Sequence, residues 1–172
     1  MVFKKCFVYV LIVFFVFLCS YSINAFSVEK ITIYLRIGSS NARVNDQWYL
    51  LDLAPFLYQQ RTMVPLRFIS ESLKATVEWL PNPDVSGEGI IIINLPSPGK
   101  RIKLHTRVPV VFIEEINHDQ EISVTSFMID AEPFIVKPQN RTVVPLRFIA
   151  EAFGAQVTWN AEDQSVNVLY YP

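Results

Sequence analysis

The chain contains two histidines, His105 and His118, and the carboxylates Glu114, Glu115, Asp119 and Glu121 stand close to them in sequence. An imidazole within reach of a carboxylate is the pair that general acid-base hydrolysis uses, and closely spaced carboxylates offer oxygen ligands to a hard cation. A hydrolase or metal-dependent enzyme with its site around these residues is therefore one reading. The other parts of such a site are missing, because no serine nucleophile elbow, phosphate loop or paired-histidine helix occurs. A solvated hairpin or loop accounts for the same residues, so no catalytic residue, metal ligand, cofactor or cofactor-binding residue is assigned.

Two aromatic residues suggest a different chemistry. Trp48 and Tyr49 follow Asn45-Asp46-Gln47, a turn signal. Rings held beside a turn would present a flat surface to a sugar ring or to a protein partner. The competing reading packs Trp48 on its own hairpin.

Export is read from the first residues. Lys4 and Lys5 precede an apolar run from Phe7 to Leu18, and small and polar residues follow as far as Ala25. This is the pattern of a signal peptide, and the run falls short of the roughly 20 apolar residues that a spanning helix needs. Residues 1–25 are expected to be removed, so the membrane is met only through this segment before cleavage. Both cysteines, Cys6 and Cys19, would leave with it, and a mature chain without thiols suits an oxidising compartment. The formal net charge is -1. Losing Lys4 and Lys5 leaves a mild acidic excess, which speaks against nucleic acid as a partner.

The elements that must position these residues come from a repeat. Arg61 to Trp79 reads RTMVPLRFISESLKATVEW, and Arg141 to Trp159 reads RTVVPLRFIAEAFGAQVTW, without a gap. A match of this length marks a duplicated supersecondary unit. Arg-Thr-x-Val is β-prone, and Pro65 and Pro145 then end the strand and open a helix. The helices are expected from about Leu66 to Lys74 and from about Leu146 to Phe153, with Gly154 as a left-handed C-cap that Lys74 replaces in the first copy. Arg67 with Glu71, and Arg147 with Glu151, are spaced for weak helical ion pairs. Arg61 and Arg141 would tie the preceding turn to the sheet. Trp79 and Trp159 are expected as core anchors. All ten of these residues are read as scaffold.

The run Arg-Thr-x-Val-Pro-Leu-Arg-Phe-Ile-x-Glu, followed by Ala-x-Val-x-Trp, resembles the copper amine oxidase N-terminal-like domain family, a stalk found on some amine oxidases and repeated in exported bacterial proteins. Departures are Lys74 for the usual Gly, Glu132 before Pro133, and a longer stretch from Val108 to Ile122. The resemblance implies two tandem α+β units, residues 26–98 and 99–172, each a twisted antiparallel sheet of four to five strands wrapped around one main helix. It also implies no catalysis, since the stalk carries neither copper nor the quinone cofactor. Copper in those oxidases takes three imidazoles, and no tyrosine here follows an asparagine. The expected function is an exported, non-catalytic structural or interaction module that binds cell wall, polysaccharide or a surface protein.

Overall fold

Apolar residues at every second position make Ile31, Ile33 and Leu35 bury one face of the first strand while Thr32, Tyr34 and Arg36 look outward. The structure is a computed structural model and describes residues 29–85, 88–95, 99–117 and 119–172. The expected signal segment and His118 lie outside these residues. In chain order the elements are β1 (Ile31–Arg36), β2 (Asn41–Val44), β3 (Gln47–Leu50), β4 (Phe56–Tyr58), β5 (Arg61–Pro65), α1 (Leu66–Ser72), β6 (Thr76–Pro81) and β7 (Gly89–Asn94). They continue as β8 (Lys100–His105), β9 (Val108–Ile116), β10 (Ile122–Met128), β11 (Phe134–Val136), β12 (Arg141–Pro145), α2 (Leu146–Ala152), β13 (Gln156–Asn160) and β14 (Ser165–Tyr170). No helix among the described residues is long and apolar enough to cross a membrane.

Among the described residues the strands form three antiparallel sheets, ordered β13-β14-β1-β2-β3, β6-β7-β8-β9-β10 and β11-β12-β5-β4. Each sheet draws on both sides of the β7–β8 turn. β7 folds back as a hairpin onto β8, with Asn94 opposite Arg101, and β14, the last strand, pairs antiparallel with β1, the first, with Ile31 opposite Tyr170. The β7–β8 turn needs Gly99, whose φ is +81° and where a Cβ would lie 2.7 Å from the carbonyl oxygen of Ile116.

This sheet-rich architecture differs from the expected sheet wrapped around one main helix per unit. Each helix has seven residues, too few to fill the concave face of a sheet alone. The two helices instead share one core with strands from both halves. Leu66, Ile69 and Leu73 of the α1 region and Leu146, Ile149 and Phe153 of the α2 region join Ile33, Ile93, Leu104 and Val166 in a single cluster. Full burial of each large aliphatic side chain contributes about 1.5–3 kcal/mol. A smaller cluster of Met63, Ala131 and Val143 lies with Phe56, Tyr58 and Phe134 on the four-stranded sheet.

Both helices end one or two residues before the expected limits and close in the same way. The amide of Lys74 donates to the Glu71 carbonyl and that of Ala75 to the Ser70 carbonyl; Gly154 and Ala155 donate likewise to Glu151 and Ala150. This double closure puts the first residue of each pair in the left-handed region, at φ 68° for Lys74 and 81° for Gly154. Lysine therefore occupies a conformation that glycine adopts without strain.

Candidate recognition site

The β2–β3 hairpin turns through Asn45 and Asp46, with Val44 opposite Gln47. Asn45 takes a φ of 52°, which asparagine tolerates well, and its Oδ1 accepts the amide of Thr32 at 2.8 Å. The hairpin is thereby pinned to β1. β3 is the outer strand of its sheet and carries Trp48, Tyr49 and Leu50 exposed. Trp48 is 64% exposed, and the Arg43 guanidinium, directly across the ladder, stands 5.7 Å from its ring centre. One face of the indole is steadied by this cation contact while much of the ring meets solvent. Tyr49 sets its ring edge-on to Phe68 at 6.2 Å. Trp48 thus packs over Arg43 of its own hairpin and leaves the rest of its ring to solvent.

Phe68, the partner of Tyr49, also lines a cleft of about 750 Å³ together with Leu50, Trp79, Arg67, Asp52 and Arg141. A second cleft of about 410 Å³ lies between Leu57, Arg61, Thr62, Arg147, Val157 and Trp159. Both volumes fall in the range of ligand sites. The repeat relates the two linings position by position, Arg141 to Arg61, Arg67 to Arg147 and Trp79 to Trp159. Each cleft combines an Arg-Thr strand from one half with a helix and tryptophan strand from the other.

Of the two tryptophans expected as core anchors, Trp79 packs against the core and Trp159 does not. Trp79 is half-buried against the main core, and its ring covers Gly89, where a Cβ would meet indole carbons at 2.8 Å. Trp159 is 40% exposed and faces the second cleft. β14 offers no glycine for the indole to cover, so the ring is left standing at the cleft wall.

The repeated polar residues divide into two groups. Arg67 lies 3.8 Å from Glu71 and Arg147 3.9 Å from Glu151, long and exposed contacts that contribute little. Pro65 and Pro145 are buried where strand meets helix. Arg61 and Arg141 reach further than the turns before them. Arg61 pairs with Asp130 at 2.6 Å, and Arg141 pairs with Asp52, so each links one half to the other. The hydrogen bond and charge of Asp52 hold the Arg141 guanidinium above its ordinary pKa. Reading the repeat from Arg61 alone misses these acids. The signal was present in Leu51-Asp52-Leu53 and Ile129-Asp130-Ala131, where an aspartate keeps its place before a proline.

The acids near the histidines are engaged otherwise. Glu114 pairs with Lys103 at 2.5 Å and Arg101 at 3.6 Å, and Glu115 with Lys100 at 3.1 Å. Glu121 accepts from the Asn117 side chain, whose Oδ1 takes the amides of Asp119 and Glu121, so this stretch satisfies itself as a turn. His105 sits on β8, edge-on to Phe112 at 6.5 Å. Among the described residues no group of three or more His, Cys, Asp or Glu side chains gathers as a metal site would.

A family model described as the copper amine oxidase N-terminal domain matches residues 21–84 and 121–170. No curated protein and no solved structure matches the chain significantly. The matched domain is a non-catalytic accessory domain of amine oxidases. With the match covering well over half of its length, the chain belongs to the copper amine oxidase N-terminal domain family.

Proposed function

We propose that this protein is an exported, non-catalytic binding module of the cell envelope that recognises wall polysaccharide. The observation that carries the reading is the solvent-facing Trp48 ring on an outer strand, steadied by Arg43. A cleft lined by Leu50, Phe68, Trp79 and charged side chains opens on the same strand end without including Trp48. A sugar ring has an apolar face of C–H groups that lies flat on an indole, and hydroxyls that bond to arginine, aspartate and amide groups. Both kinds of partner are present. The leader pattern at residues 1–25 supports export, and the repeat at Arg61 and Arg141 supports a duplicated unit whose halves act together. No cofactor is required.

The test is sedimentation of the purified protein with isolated cell-wall material and insoluble polysaccharides, beside Trp48→Ala. Binding that weakens tenfold or more in the variant supports the reading. Absence of binding to every polysaccharide overturns it and turns attention to protein partners in the envelope.

A further inference from the structure

The main core joins the two halves, so the clefts belong to one interlocked body. They are also alike in construction. In each, a strand's Arg-Thr pair faces a helix arginine and an indole, Arg141, Thr142, Arg67 and Trp79 in the first, Arg61, Thr62, Arg147 and Trp159 in the second. In each an aspartate from the other half fixes the strand arginine, Asp52 of the first lining for Arg141 and Asp130, outside the second lining, for Arg61. A guanidinium held in this way offers its remaining N–H groups in a set direction, without the entropy cost of ordering a free side chain on binding. Trp48 lines neither cleft, and the indole of the second is the more exposed of the two repeated tryptophans.

We propose that the second cleft, walled by Trp159, Arg61 and Arg147, is a further glycan subsite, which makes the chain bivalent for polysaccharide. The proposal rests on the reading above, in which the exposed Trp48 ring is the first subsite. A sugar ring stacks on Trp159 and its hydroxyls meet Arg147 and Thr62. Two weak subsites fixed on one body hold a polymer much more tightly than either alone, because the second contact forms at high effective concentration.

Calorimetric titration of the full chain with chitohexaose and cellohexaose tests this, alongside binding to insoluble wall glycan. The expected result is two equivalents of oligosaccharide per chain, one after Trp159→Ala, and at least tenfold weaker retention on the polymer. Arg147→Ala, at a side chain 66% exposed and outside the core, leaves the fold intact and is expected to weaken the second equivalent at least threefold. One equivalent in the unaltered chain, lost with Trp48→Ala and indifferent to Trp159→Ala and Arg147→Ala, overturns the second subsite and leaves the first standing. No binding of either sugar or of the polymer overturns both.

Discussion

Arg61 donates from Nε to the carboxylate of Asp130 at 2.8 Å and adds a second contact through Nη2, and Arg141 grips Asp52 with the same two nitrogens. In each pair both nitrogens converge on a single carboxylate oxygen, Oδ2, so the contact is charge-assisted without being a two-oxygen fork. Each pair spans the two halves and its arginine lines a cleft, so the same contacts order the fold and the sites.

These pairs are exposed, and their energetic weight should be small. A double-mutant cycle on Arg61→Ala and Asp130→Ala, read by chemical denaturation, is expected to give a coupling of at most about 1 kcal/mol. A larger value would mean that the pairs carry more weight than exposed ion pairs ordinarily do.

Ser70 is fully buried in α1, and its hydroxyl has no hydrogen-bond partner among the described residues. The corresponding residue of α2 is Ala150, equally buried. An unpaired buried hydroxyl costs about 1–3 kcal/mol, so Ser70→Ala should raise stability by about 1 kcal/mol. A thermal melt measures the gain, and a loss would reveal a partner for the hydroxyl.

Lys74 holds a left-handed φ that costs an L-residue about 1–2 kcal/mol. Lys74→Gly should therefore stabilise the protein by about 1 kcal/mol, and Gly154→Ala should destabilise it by a similar amount. Equilibrium unfolding of both variants checks the two signs together.

Hydrogen bonds from Ser165 hold the Asp163 carboxyl below its usual range; burial opposes the shift and the Tyr34 hydroxyl adds to it. A carboxyl depressed on folding contributes stability that is fully present above its unfolded pKa, about 3.9. That stability is lost as pH falls through the lower folded value. Stability measured from pH 6 to pH 2 should fall less steeply below about pH 4 in Asp163→Asn than in the parent chain.

Local structure was legible in the sequence because it depends on neighbours along the chain. Pro65 and Pro145 mark the strand-to-helix junctions, and alternation in Ile31–Arg36 gives the buried face of β1. Sheet membership was not legible. A period of two says which face of a strand is buried but not which strand lies beside it. The pairing of β14 with β1 thus leaves no mark in either segment alone. The Trp159 exposure escaped for a related reason, since a repeated tryptophan is buried or exposed according to what its neighbouring strand offers. Trp48 stands outside the repeat beside a turn, and its exposure follows from β3 being an outer strand.

Both clefts and all three sheets depend on the halves being interlocked, so one cut tests the whole account. A protease site placed between Leu95 and Gly99 is cleaved in the folded protein, and the product is passed over a sizing column without denaturant. The account predicts a single species at the size of the intact chain, with unchanged tertiary circular dichroism and sugar binding. Two separate, independently folded halves would contradict it.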